Sequence, residues 1–216
     1  MLTDTLSPTK DLLRTEAKSR RSALASANPL AGDDLADAAV SALDAADAWP
    51  AHGAVVSGYW PIQSEINPFP LMQMFEERGY DLALPVLNPT ADGYEMRFRR
   101  FNLGDPLVPG PFGIREPGAV APEVEPDVLL LPMLGFDAIG VRLGYGGGYF
   151  DRTLAAIDPS PLKIAVGFEL SRIPTSYPQP HDILMDFVIT EVGIHVVANG
   201  GMHLIDTVQS LSLIHI

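Results

Sequence analysis

The chain contains no cysteine. Disulfides, thiolate nucleophiles, cysteine-bound zinc and iron–sulfur clusters are therefore excluded. No apolar run approaches the ~18 residues that a membrane-spanning helix needs. The opening stretch MLTDTLSPTKDLLR has no apolar core behind a basic start, so no secretory signal is read there. A cytoplasmic location is expected. Cations are also scarce. Lys and Arg total 14 against 27 Asp and Glu, a formal net charge of −13. Such a surface repels a phosphate backbone, which argues against bulk nucleic-acid binding. The few cations are gathered: five lie between Lys10 and Arg21, and three more are Arg97, Arg99 and Arg100. An acidic chain that concentrates its cations can hold a small polyanion locally.

What is present points to a globular protein. At 216 residues and 47% hydrophobic content, one domain can bury roughly 70% of the surface its unfolded chain would expose. A wholly disordered chain is excluded. The 19 Gly and 20 Pro have no period, which excludes a collagen-like rod. Ser7-Pro8 reads as a helix start, with Ser as the cap and Pro in the first turn, and Asn28-Pro29 ends that helix. A second helix is predicted from about Asp34 to Ala48. AVVSGYW (Ala54 to Trp60) reads as a buried strand, and a helix runs from Asn67-Pro68 to about Arg78. DLALPV (Asp81 to Val86) and YEMRFRRF (Tyr94 to Phe101) are further strands, separated by the Asp92-Gly93 turn signal. The segment from Leu103 to Glu125 holds five prolines and four glycines. It is too long for mere connection, and long ordered loops often carry function.

VLLLPML (Val128 to Leu134) is the most apolar strand and reads as central. A glycine-rich stretch leads into the helix DRTLAAI, followed by strands KIAVGF (Lys163 to Phe168) and FVIT (Phe187 to Thr190). The alternation predicts an α/β layered sandwich with a largely parallel sheet. One domain is expected over residues 7–194. Residues 195–216, ending in SLSLIHI, fit the pattern poorly and read as a stray edge strand, a disordered end or a non-native remnant. No function is assigned to them.

The sharpest feature is RLGYGGGYFDR, Arg142 to Arg152. Gly144, Gly146, Gly147 and Gly148 precede a helix start, where inward backbone amides and the helix dipole suit an anion. Arg142 stands at the loop entrance, able to fork onto phosphate oxygens and expected to support little of the core. Asp151 follows in the first turn, placed to hold Mg²⁺ or simply to serve as a helix-terminus acid. A tight strand-to-helix turn remains the plain alternative. There is no GxxxxGK[ST], and GYGGGY is not a GxGxxG fingerprint.

Five blocks in order resemble the 5-formyltetrahydrofolate cyclo-ligase family: KDLLR (Lys10 to Arg14), YWPIQSEINP (Tyr59 to Pro68), FGIREP (Phe112 to Pro117), LPMLGFDAIGVRLGYGGGYFDRTL (Leu131 to Leu154) and PHDILMDFVITE (Pro180 to Glu191). The resemblance implies a sandwich related to the ribose-phosphate isomerase and CoA-transferase group. It implies an ATP- and Mg²⁺-dependent enzyme that converts 5-formyltetrahydrofolate to 5,10-methenyltetrahydrofolate. The formyl oxygen is phosphorylated, N10 attacks, and phosphate leaves. By resemblance Lys10, Arg14, Arg142, Gly144, Tyr145, Gly146, Gly147, Gly148, Tyr149 and Phe150 bind ATP, with Lys10 and Arg142 catalytic. Many members have Tyr at position 150, so Phe150 is given no polar role. Trp60, Glu65, Tyr145 and Tyr149 are matched to the folate. Asp151 and Asp182 are matched to the metal.

Plain alternatives stand beside these roles. Lys10 and Arg14 share a helix face that solvent alone explains, and Lys18, Arg20 and Arg21 are read as such a face. Trp60 suits either stacking on a pterin or the core. Arg115 is read as reaching a phosphate or a glutamate tail, or as an exposed loop residue. His181 is a turn histidine or a partner of Asp186, and Arg97, Arg99 and Arg100 decorate an outward strand face. Two other functions remain open: an ATP-independent sugar-phosphate isomerase or CoA-transferase-type enzyme, and a non-catalytic nucleotide- or folate-binding regulator. A monomer acting on small molecules, without nucleic acid or membrane, is expected.

Overall fold

The computed structural model describes residues 7–198 and 200–205. Four helices are α1 (Ser7–Ala27), α2 (Ala31–Ala46), α3 (Phe69–Glu77) and α4 (Tyr149–Leu154). Eight strands form one sheet: β1 (Val55–Ser57), β2 (Asp81–Thr90), β3 (Gly93–Arg100), β6 (Val128–Pro132), β9 (Leu162–Val166), β10 (Phe187–Thr190), β11 (Gly193–Ala198) and β12 (Gly201–Leu204). Two small hairpins, β4 (Leu107–Pro109) with β5 (Arg115–Pro117) and β7 (Gly135–Phe136) with β8 (Arg142–Leu143), stand outside it. The sheet order is β12-β11-β10-β9-β6-β1-β2-β3. The five central strands β10-β9-β6-β1-β2 are parallel, and antiparallel strands extend both sides. The expected α/β architecture stands, with a mixed and mostly parallel sheet.

Period-two burial explains the layers. Val128 and Leu130 face one side, where Leu35, Ala39 and Leu43 of α2 and Leu71, Met72 and Phe75 of α3 cover them. Leu129 and Leu131 face the other, against Phe136, Leu154 and Met185. Helix α1 packs elsewhere: Ala17 meets Leu134, Leu143 and Ile173 beside the β7–β8 hairpin. This placement brings the first basic block to the loops that follow β1 and β6.

Two boundaries differ from expectation. The proline-rich segment after β3 is ordered by the β4–β5 hairpin, so it is not a bare loop. The tail expected from residue 195 gives way to structure up to residue 205. β11 pairs antiparallel with β10 and buries Ile194, His195 and Val196, and β12 pairs with β11. The physical reason is coverage: β11 shields β10, whose four residues are all buried. Residues 206–216, including SLSLIHI, and the Ser7 side chain read as a cap lie outside the described residues.

Candidate active site

In parallel sheets, ligands bind beyond the carboxyl ends of strands where neighbouring connections diverge. β1 and β6 are adjacent and parallel, yet β1 leads to β2 on one side while β6 leads towards β9 on the other. The crevice therefore opens above Ser57 and Pro132. The loop after β1 delivers Tyr59, Trp60 and Glu65. The chain after β6 turns through β7 and β8 to deliver Arg142 and then the glycine loop. Helix α1 lies across both, and its spacings of four and seven put Lys10, Arg14 and Arg21 on one face.

These elements enclose a cavity of about 580 Å³. Its lining includes Lys10, Arg14, Trp60, Glu65, Arg142, Gly144, Tyr145, Gly146, Gly147, Gly148, Tyr149, Phe150, Asp151 and Asp182. Every site residue expected from the sequence thus faces one space. Phe112, Ile114 and Glu116 come from the proline-rich segment, and His181 and Gln179 complete a rim. Arg115 turns away: it donates to the Leu107 carbonyl at 2.7 Å and lines a neighbouring groove of about 610 Å³. Trp60 borders both spaces and meets Phe69 edge-on at 5.5 Å. Arg97, Arg99 and Arg100 pair with Glu95, Glu123 and Asp81 and line no part of the site cavity. Asp186 pairs with Lys163 at 2.8 Å.

The wall formed by Lys10, Arg142 and the glycine loop is built from paired charges. Lys10 Nζ lies 2.7 Å from Asp182 Oδ2, which also accepts the Gln179 N–H at 2.7 Å. Arg142 reaches Asp151 with two nitrogens, Nη2 to Oδ2 at 3.1 Å and Nη1 to Oδ1 at 3.3 Å. Arg142 is 6% exposed, not a free cation at a loop mouth. That corrects the sequence expectation, and the reason is its strand: β8 pairs with β7, and its Leu143 packs against Ala17 of α1 and against Leu134 and Ile173. Burial pulls its guanidinium below the ordinary value, while Asp151 and Asp182 pull it back. Its buried Nε has no hydrogen-bond partner among the described residues. Arg14 Nε donates to the Gly144 carbonyl at 3.1 Å and fixes the loop from above. Gly146 has φ +99°, and a Cβ there would sit 3.1 Å from the Arg14 guanidinium carbon. Gly148, the residue before α4, has φ +64°. Both positions favour glycine for its conformation.

Behind the other wall lies a residue that the sequence reading assigned to solvent. Arg21 is 1% exposed. Its Nε donates to Ser64 Oγ at 3.2 Å, its Nη1 to the Met133 carbonyl at 3.3 Å, and its Nη2 to the Tyr145 hydroxyl. Nη1 also lies 3.7 Å from Glu65 Oε1. The Ile62 N–H donates to Glu65 Oε2 at 2.9 Å. Burial raises Glu65 above its ordinary value, against the lowering effects of the Ile62 N–H, Arg21 and Tyr145. The missed signal was available: position 21 is two turns from Arg14, on the face that Lys10 and Arg14 already mark.

The family model for the 5-formyltetrahydrofolate cyclo-ligase family matches residues 6–191. The chain belongs to that family. It is similar to the 5-formyltetrahydrofolate cyclo-ligase of Mycolicibacterium smegmatis, 35% identical over 147 residues, which cover 64% of this chain and 74% of the relative. It is similar to the cyclo-ligase of Escherichia coli K12, 35% identical over 103 residues covering 46% and 56%. Among solved structures, the 5,10-methenyltetrahydrofolate synthetase of Aquifex aeolicus superposes with TM-score 0.68 at 25% identity, covering 92% of this chain and 96% of that one. The synthetase of Mycoplasma pneumoniae superposes at TM-score 0.62 and 20% identity, covering 84% and 98%, a likeness of fold. As a cyclo-ligase the chain is an enzyme of folate one-carbon metabolism, converting 5-formyltetrahydrofolate to 5,10-methenyltetrahydrofolate. No helix among the described residues is long and apolar enough to cross a membrane.

Proposed function

We propose that ATP drives this cyclisation in the cavity, with phosphates at the Arg142–glycine-loop wall and the folate at the Trp60–Glu65 wall. One observation supports it above others: the cations, glycines and acids of one chemistry share a single space with the folate-matched aromatic and carboxylate. The volume, about 580 Å³, suits small-molecule substrates. Glu65 accepts from pterin N–H groups, and Trp60 offers a flat face. Lys10 and Arg142 stabilise the transferring phosphoryl group, and Arg14 holds the loop. The formyl oxygen attacks the γ-phosphorus as the bond to ADP breaks. N10 then bonds to the activated carbon and gives up its proton, the C–O bond breaks, and phosphate departs with the electron pair and takes up a proton. An amide-like oxygen leaves poorly and phosphate leaves well. The protein's contribution is positioning and charge stabilisation.

The donor set fits Mg²⁺. Asp151 and Asp182 supply two carboxylates, and no group of three acids or histidines suited to a metal occurs among the described residues. Mg²⁺ would suit such a site, because it is held by one or two protein carboxylates together with substrate phosphates and retained water. When bound, it neutralises charge on the phosphates. The same reading places the fold in the ribose-phosphate isomerase and CoA-transferase group, and keeps the chain a cytoplasmic monomer. The decisive test mixes the protein with 5-formyltetrahydrofolate and follows methenyl absorbance with and without ATP. The expected result is formation that requires ATP and releases one ADP and one phosphate per product. Formation at equal rate without ATP overturns the proposal.

A further inference from the structure

Among the described residues, Arg21 is the most buried charge that the proposed chemistry leaves unused. Its donors reach three separate segments: Ser64 in the loop after β1, the Met133 carbonyl after β6, and the Tyr145 hydroxyl in the glycine loop. Its charge also lies 3.7 Å from Glu65. Tyr145 is itself bifunctional. Its ring packs under the Arg21 guanidinium, 5.2 Å from the centroid, while its hydroxyl accepts from Arg21 Nη2, whose partner nitrogen Nη1 faces Glu65. A buried guanidinium needs its donors satisfied, and a carboxylate buried beside it needs its charge balanced. Moving the glycine loop without moving Glu65 would break one of these conditions.

We infer that Arg21 is a positioning residue which, through Tyr145, ties the glycine loop to Glu65, so that nucleotide and folate bind as a coupled pair. This rests on the proposed placement of the two substrates. Ordering the loop around phosphates fixes Tyr145. Tyr145 and Arg21 then fix the Glu65 carboxylate in its acceptor geometry before the folate arrives. By linkage the folate returns the same factor to the nucleotide.

The test is affinity for 5-formyltetrahydrofolate with and without Mg²⁺ and a non-hydrolysable ATP analogue, measured by calorimetry. In the wild type the analogue is expected to tighten folate binding about tenfold, within the range common for coupled sites. In Tyr145→Phe folate alone binds more weakly, and the factor by which the analogue tightens it falls to about twofold or less. Arg21→Lys keeps the charge but not the three-way fork, and loses most of the factor too. A purely structural anchor would lower melting temperature without touching the ratio. If Arg21→Lys fails to fold, Tyr145→Phe decides alone. An unchanged ratio in Tyr145→Phe, or a wild-type ratio of one, overturns the inference. A wild type that binds neither ligand instead overturns the proposed placement.

Discussion

Removing the Arg142 side chain would strand the Asp151 carboxylate in a largely buried site. Breaking such a pair typically costs about 3–5 kcal/mol, because one charge remains without compensation. In a chain of this length that corresponds to a drop in melting temperature of roughly 6–20 °C. Arg142→Ala is therefore expected to melt early as well as to lose about two to three orders of magnitude in kcat/KM, measured well below the melt. Arg142→Lys restores part of both. A variant with wild-type kcat/KM would remove Arg142 from the phosphate side, whatever its stability. Glu65 makes the second residue-scale case. On the proposed reading its charged form accepts from two pterin donors at once, where the protonated form turns one oxygen into a donor, and burial lifts its titration above the ordinary carboxylate value. Folate affinity should fall as pH drops through that raised value, with an acid limb shifted towards neutrality. The stability sign is opposite. Between the ordinary and the raised value the folded state holds a proton that the unfolded state has released, so this group's contribution to stability grows as pH falls through that window. Glu65→Gln should lose the acid limb and that slope, and bind folate about 5- to 150-fold more weakly. Calorimetry and melts across pH check both, and an acid limb that persists in Glu65→Gln assigns it to another group.

At the scale of elements, β11 and β12 change the expectation for the chain's end. Ending the chain after Gly193 removes Ile194 and Val196, which are 3% and 4% exposed, and bares the edge of β10. Two buried aliphatic side chains contribute about 3–6 kcal/mol, a large part of a domain's usual 5–15 kcal/mol. It also removes His195, whose Nε2 lies 2.7 Å from Glu169 Oε2. That truncation is expected to be insoluble or to melt far below the full chain, whereas a chain ending at Ile205 keeps both strands and serves as control. Equal melts for the two would show that β11 adds nothing. Helices and inner strands were legible because their apolar periods are strong. The shared placement of the glycine loop and its charged neighbours was legible because glycines and charges cluster in sequence. β11 was not, since its burial follows from pairing with β10 and from a His–Glu contact spanning 26 residues. Asn199-Gly200 between two apolar runs was an unused hairpin signal. Arg21 was hidden by its neighbour Arg20, which is exposed as expected while Arg21 is not.

For the molecule as a whole, the question is how a chain of net charge −13 admits two anions. Clustered cations alone do not answer it. Lys10, Arg14 and Arg142 line the cavity, but so do Glu65, Glu116, Asp151 and Asp182. Arg21 behind the wall brings the four acids level with four cations. Lys10, Arg142 and Arg21 are each already matched to an acid. The cavity is thus near neutral inside an acidic protein, and ATP without a metal brings about four negative charges to it. On the proposed reading, a divalent cation on the nucleotide would offset two of them, and Asp151 and Asp182 would hold it in place of Lys10 and Arg142, whose side chains would then serve the phosphates. Mg²⁺ is therefore expected to tighten ATP binding by about tenfold or more, a difference near 1.4 kcal/mol, in a titration without folate. Asp151→Asn should shrink that gain. Because the long-range field is repulsive, raising salt from about 0.01 to 0.15 M, which shortens screening from ~30 to ~8 Å, should leave Mg²⁺–ATP affinity level or slightly improved. Neutralising the exposed Asp37 and Asp92, neither of which lines the cavity, should mimic that improvement at low salt only. ATP binding as tight in excess chelator as in Mg²⁺, or a tenfold loss on adding salt, would mean that an unpaired cationic surface captures the nucleotide instead.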